Sequence, residues 1–258
     1  MSSILQSVEG GVGIVRFNRP EVFNSFNREM ALQFISILQE FSEDKEVRSV
    51  YLTGEGKAFS AGQDLKEVTD PDGPEISTIV SEHYNPIIRH LREIEKPVVS
   101  AVNGVAAGAG ANIALAGDIV VAHEHASFIQ AFSKIGLIPD SGGTWTLPRL
   151  IGFQKASALM MLGDKVSAEE AERLGMIYKV FSADDFEAQS MALAQKLAKM
   201  PTKGLGLTKR ALNSSFENTL EAQLGIEDVL QTEASNSYDY KEGVAAFLEK
   251  RKPEFKGE

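Results

Sequence analysis

Residues 12–17 are almost unbrokenly apolar and end at the turn Asn18-Arg19-Pro20, which predicts a buried strand. Asn27, a good N-cap, precedes a stretch in which Met30, Phe34, Ile37, Leu38 and Phe41 recur at helical spacing. Residues 49–53 read as a second strand, stopped by Gly54 and Gly56, and residues 57–72 as a long loop. Gly73-Pro74 opens a helix running to about residue 95. A buried strand over 97–102, a helix over 108–116 and a strand over 119–122 follow. Strand and helix alternate throughout, which argues for an α/β fold with a largely buried sheet. From Ser141 onward helical patterns dominate, broken by a short strand at 176–181. Beyond Pro201 the chain reads as helices over 203–215, 219–233 and 238–251. The pattern divides the chain into a core of residues 1–195 and a helical region of 196–258, which serves either assembly or coverage of the core.

Composition narrows the function. With 258 residues, 43% hydrophobic and 24% charged, this is an ordinary globular chain able to bury a large core. It has no cysteine, which removes thiolate nucleophiles and cysteine-based metal sites and fits a reducing, cytoplasmic setting. The net charge of -10 repels a phosphate backbone, so no nucleic-acid partner is expected. The first residues show no signal-peptide pattern. Residues 97–117 carry no charge over 21 positions, long enough to span a bilayer. However, 11 of the 17 residues from 101 to 117 are Gly or Ala, and Asn103 and Asn112 interrupt them. A buried, tightly packed segment is the expectation there, not a membrane helix.

Three stretches carry chemistry. In Ala58-Phe59-Ser60-Ala61-Gly62-Gln63-Asp64-Leu65, small residues after a strand let backbone N–H groups face outward; the alternative is a simple turn. Asn103-Gly104 through Gly108-Ala109-Gly110 leads into a helix N-terminus, where free N–H groups and the helix dipole favour negative charge. It is not a dinucleotide fingerprint, because Ile113 stands where the third glycine would be. In Ile138-Pro139-Asp140-Ser141-Gly142-Gly143-Thr144-Trp145, Asp140 sits in an apolar, glycine-lined turn. It is either a helix N-cap or a partly desolvated carboxyl suited to taking and returning a proton. His123 and His125 have no third ligand in view, so no metal is expected. His83 and His90 fall on a polar helix and read as surface residues.

These stretches, together with Asn18-Arg19-Pro20, Asn24, Gly117-Asp118-Ile119 and the terminal run Ala246 to Lys252, resemble the crotonase superfamily, the enoyl-CoA hydratase/isomerase group. The resemblance covers nearly the whole chain. It implies a crotonase-like spiral of ββα units with a C-terminal helical region, assembling as a homotrimer or a hexamer (a dimer of trimers). It also implies an acyl-CoA thioester as substrate, with no separate cofactor. The family's oxyanion hole, two backbone N–H groups, maps to Ala61 and Ala109. Glu21, Val22 and Phe23 map to the CoA channel, Ala58 and Ser60 to the adenine region, and Phe247 and Lys250 to residues reaching CoA from a neighbouring subunit. Gly62, Gln63, Asp64, Leu65, Gly108, Phe132 and Trp145 complete the implied acyl-CoA contacts.

Hydratases of this group use two glutamates to activate one water. Their positions are Asn112 and Phe132 in this chain, and neither can act as acid or base. Asp140 falls at a third position, used by members with a single carboxylate. Residues 131–145 are most similar to the branch that isomerises a phenylacetyl-CoA ring epoxide and also shifts enoyl-CoA double bonds. The resemblance therefore implies an isomerase with Asp140 as the sole acid/base. The alternatives are a hydratase or a non-catalytic acyl-CoA-binding subunit.

Overall fold

The structure is a computed structural model and describes residues 2–258. Its centre is a six-stranded sheet. Strands β1 (Ile4–Glu9) and β2 (Val12–Phe17) form an antiparallel hairpin. After α1 (Arg28–Glu43), β3 (Ser49–Gly54) pairs parallel to β2. The chain then makes a short strand, β4 (Ala58–Ser60), and passes through α2 (Leu65–Thr69), α3 (Ile76–Thr78), a π turn (Ile79–Tyr84) and α4 (Asn85–Glu93). The same sequence of moves recurs. β5 (Val98–Val102) joins the large sheet, β6 (Val105–Ala107) lies beside β4, and α5 (Ala109–Leu115) follows. β7 (Ile119–His123) and β8 (Ser127–Ile129) repeat the step. The large sheet runs β1-β2-β3-β5-β7-β10 and the small one β4-β6-β8-β9, with β9 at Lys165–Ser167 and β10 at Lys179–Phe181. Successive turns thus feed one strand to each sheet, the ββα spiral that the resemblance implied.

Alternation along the strands explains the layering. Val50 and Leu52 face one core, with Phe17, Phe34 and Leu38, while Tyr51 between them faces the other. The second core is closed by α9 (Phe186–Ala198) through Ala194, Leu197 and Ala198. Both faces of the large sheet are covered, as a parallel sheet requires. Residues 97–117, uncharged but not membrane-spanning, are divided among β5, β6 and α5 and are almost wholly buried. No helix among the described residues is long and apolar enough to cross a membrane.

Several sequence expectations need correction. The loop over 57–72 contains β4 and α2; three paired residues and five helical ones are too short to give a periodic signal. The strand expected over 176–181 pairs only from Lys179, because Met176 and Ile177 turn into the core instead. The 195/196 boundary falls inside α9. The C-terminal helices, α10 (Thr202–Ser215), α11 (Leu220–Ser235) and α12 (Tyr238–Glu249), begin only after Pro201. α10 is pinned to the core by Lys209, whose buried ammonium donates to Asp118 at 2.8 Å and to the Leu91 carbonyl at 2.7 Å.

Candidate active site

The site is assembled where the loop that follows β4, residues 61–64, meets the start of α5, and the β3–β4 turn supports that loop. Two asparagines pin that turn. Asn24 Nδ2 donates to the Glu55 and Ala58 carbonyls, and Asn103 accepts from Gly54 N–H while donating to the Gly56 carbonyl at 3.0 Å. Beneath it Phe17 makes edge-to-face contacts with Phe26 and Phe59, each at 5.1 Å between ring centres. Such pairs contribute about 0.5–1.5 kcal/mol each beyond burial.

Gly62 lets the loop lie against α5. Its φ is +89°, and a Cβ there would stand 2.8 Å from the Ala107 carbonyl oxygen and 3.2 Å from the Ala109 nitrogen. The Phe26 N–H donates to the Gly62 carbonyl at 2.7 Å, and Asp64 N–H donates to Phe26 at 2.8 Å. In such a parallel bridge the middle residue, Gln63, turns its own N–H away from Phe26. That N–H has no acceptor among the described residues. Ala109 opens α5, where amides have no intrahelical acceptor. Ala61 does not fit the donor role implied for it. Its N–H is engaged by the Phe23 carbonyl at 2.9 Å, so the free amide beside Ala109 is that of Gln63.

Both residues line a cavity of about 210 Å³. Leu65, Val68, Ile76, Ile79 and Val80 make its apolar wall; Phe132, Tyr84 and Asp140 complete it. The π turn brings Ile79, Val80 and Tyr84 into one wall, and such turns recur at functional sites. Asp140 is half-buried. Its carboxylate accepts from the Ser141 hydroxyl at 2.9 Å, and its side chain does not cap the following helix, α6 (Gly143–Ile151), whose N-cap is Gly142. Burial raises the Asp140 pKa above the ordinary carboxylate value, partly opposed by the Ser141 hydrogen bond. Burial, reinforced by the negative charges of Asp140, Glu67 and Asp64, pushes the Tyr84 phenol well above its ordinary value.

No sequence motif marks Tyr84. Its hydroxyl donates to Gln63 Oε1 at 2.7 Å, and Gln63 Nε2 donates to Glu67 at 2.9 Å. The one signature of Tyr84 in the sequence is an aromatic residue inside the polar run from Ser81 to Asn85. His83 is not a surface residue: it is buried beside Arg28 of α1, and burial together with the Arg28 charge lowers its pKa. His90 is partly exposed.

The other expected contacts divide between the cavity wall and positions away from it. Leu65, Gly108 and Phe132 line the cavity. Ala58 and Ser60 are fully buried, and the Ser60 hydroxyl accepts from Gly62 N–H, so their side chains cannot meet a ligand. Asp64 caps α2 and pairs with Arg19 at 2.8 Å, which makes it a brace for the loop. Val22 and Phe23 lie outside the cavity wall, in and after a 3-10 turn, with Phe23 half exposed. Trp145 packs edge-to-face on Phe216 at 5.1 Å with the Arg149 guanidinium over its ring, away from the cavity. Phe247 and Lys250 are exposed at the end of α12 and outside this chain's cavity. Among the described residues, no group of three or more His, Asp or Glu side chains is placed to hold a metal ion.

A family profile described as enoyl-CoA hydratase/isomerase matches residues 7–258. The chain is 50% identical to the 1,2-epoxyphenylacetyl-CoA isomerase of Escherichia coli (strain K12), over 100% of this chain and 99% of that protein. It is 42% identical to a probable enoyl-CoA hydratase of Rhodobacter capsulatus, over 99% and 98% of the two chains. Among solved structures it resembles an enoyl-CoA hydratase subunit from Geobacillus kaustophilus, with a TM-score of 0.92 and 36% identity, covering 99% and 98% of the two chains.

Proposed function

The chain belongs to the enoyl-CoA hydratase/isomerase family, and from that premise we propose that it is an acyl-CoA isomerase acting through a thioester enolate. Asp140 carries the reading: a carboxyl group in the wall of an apolar cavity, its pKa raised by burial, sharing that cavity with two residues whose amides are free. On a 3-enoyl-CoA, Asp140 removes a proton from C2. The C–H electron pair passes into the carbonyl, and the oxygen of the resulting dienolate takes hydrogen bonds from the Gln63 and Ala109 amides. Asp140 then returns the proton at C4, which leaves the double bond between C2 and C3. Proton and electrons balance within the substrate, so the step calls for no cofactor. One such donor is worth about 2.7–4 kcal/mol of transition-state stabilisation.

Two substrate classes fit this site: aliphatic 3-enoyl thioesters and the ring epoxide of a phenylacetyl thioester. The apolar wall suits both, and the 50% identity to the E. coli isomerase supports the second. Hydration is disfavoured because it needs a second group to hold water. Phe132 is a hydrocarbon, and the Asn112 carboxamide is already hydrogen-bonded on both sides. We further propose self-assembly as a trimer or a dimer of trimers, with Phe247 and Lys250 reaching a neighbouring subunit's ligand. The 83% exposure of Phe247 supports this, and sedimentation as a single chain would refute it. A cytoplasmic location fits a cysteine-free chain acting on CoA thioesters.

The decisive experiment is Asp140→Asn, assayed on a 3-enoyl-CoA by the appearance of conjugated absorbance. General acid–base catalysis contributes about 10²–10⁴-fold, and a sole base belongs at the upper end. The variant should lose nearly all turnover while still binding an unreactive acyl-CoA. Retention of most activity refutes the reading.

A further inference from the structure

Asp140 follows directly on an exposed segment. Leu137 is 43% and Ile138 81% exposed, and Ser141 and Gly142 both have positive φ. Something must hold its carboxyl over the substrate carbons. Asn112, buried to 2% exposure, stands one helical turn beyond Ala109 on α5, and its Nδ2 donates to the Asp140 backbone carbonyl at 2.8 Å. That carbonyl also accepts from Gly143 N–H at 2.9 Å. Gln130, 5% exposed, donates from Nε2 to Asn112 Oδ1 at 2.8 Å.

The order of donors in this chain is forced. A carbonyl can only accept, so Asn112 must turn its NH₂ to Asp140 and its oxygen to Gln130, and Gln130 must then present its own NH₂. Gly143 completes the arrangement. The three atoms nearest to a Cβ placed there all belong to the Asn112 carboxamide, with Oδ1 at 2.8 Å, so only glycine lets α6 approach.

We propose that Asn112 is a positioning residue that ties the Asp140 loop to the helix turn carrying the Ala109 amide, and so sets the separation between proton acceptor and oxyanion donor. The proposal rests on the isomerase reading above. Asn112 does no proton chemistry of its own. It fixes where Asp140 stands relative to an enolate oxygen held at Ala109.

The test compares kcat and KM on a 3-enoyl-CoA for Asn112→Ala, Asn112→Asp and Gly143→Ala, with thermal unfolding and binding of an unreactive acyl-CoA measured alongside. A misplacement of about 1 Å costs on the order of 10²-fold. Asn112→Ala should therefore lower kcat by about 10–100-fold, with KM and analogue binding within about threefold of the parent. Asn112→Asp keeps the size but loses the donor, and should fall as far; should the alanine variant not fold, this one decides. Gly143→Ala should lower kcat alone, because its methyl displaces Asn112, but cost nothing more in the Asn112→Ala background. A kcat within twofold of the parent in the Asn112 variants, or a change confined to KM, overturns the tie. So do Gly143 and Asn112 effects that simply multiply. Loss of turnover in Asp140→Asn with normal Asn112 variants would sink the tie alone; a parent protein with no isomerase activity would remove both.

Discussion

Replacing Gly62 by alanine tests whether the two amides do the electrostatic work. At φ +89° an L-residue is strained, by about 1–2 kcal/mol. The added methyl would also stand 2.8 Å from the Ala107 carbonyl oxygen, about 0.6 Å short of ordinary contact, which begins at 3.4 Å. The neighbour is backbone on both sides, so the loop must lift away from α5. The oxyanion hole proposed at the Gln63 and Ala109 amides would then be pulled apart. Losing one donor corresponds to about 10²–10³ in kcat. The assay is turnover of a 3-enoyl-CoA, set beside the red shift of a bound chromophoric 2-enoyl-CoA, which reports polarisation of the thioester carbonyl. Gly10→Ala is the control. It has φ +58° and no atom within 4 Å of the added Cβ, so it carries dihedral strain without a clash. Both variants should lose a few degrees of Tm, at about 2–4 °C per kcal/mol for a chain of this size. Only Gly62→Ala should lose kcat and red shift. If Gly62→Ala destabilises as expected yet keeps kcat within threefold, the oxyanion argument is wrong.

Two further outcomes follow from charge and burial. Because burial raises the Asp140 pKa in the folded chain, kcat/KM should climb with pH through a value above the ordinary carboxylate pKa. Tyr84, which shares the cavity, stays a neutral phenol across that range. The sign for stability is opposite. The native state loses stability as pH rises from the unfolded carboxylate pKa to the raised folded one, so Asp140→Asn should raise Tm at neutral pH and not in acid, as thermal melts at the two pH values will register. Lys209→Met removes the buried partner of an ion pair whose carboxylate, on Asp118, reaches solvent; breaking a fully buried pair costs about 3–5 kcal/mol. Arg92, 3.4 Å from Asp118, still compensates that carboxylate and places the loss at the lower end. Urea unfolding should register that loss, with activity per folded molecule unchanged.

The sequence made the architecture legible where apolar period is long enough to read. The strand over 12–17, the helix carrying Met30 to Phe41 and the three terminal helices match β2, α1, α10, α11 and α12 closely. The small sheet was invisible, since three-residue strands have no periodicity and owe their existence to neighbours brought by the spiral. Asp64 and Asn103, prominent as motif residues, prove to be braces, because their polar atoms are engaged by Arg19 and by backbone groups of the β3–β4 turn.

What the chain order determined by itself was chemical inventory: a lone carboxyl in an apolar turn, no cysteine, glycines where backbone must approach backbone, and no acidic group at positions 112 and 132. Which amide is free was decided only in three dimensions. Ala61 and Gln63 are two residues apart in one loop, and nothing in their side chains tells them apart as donors. The rotation at Gly62 and the bridge to Phe26 give one N–H to the loop and leave the other open. The partners of Asn112 were likewise unreadable, since Gln130 and Asp140 lie 18 and 28 residues away and meet it only because the spiral returns the chain to α5. A hydrogen bond depends on where a group points, and that direction is set by packing between segments distant in sequence.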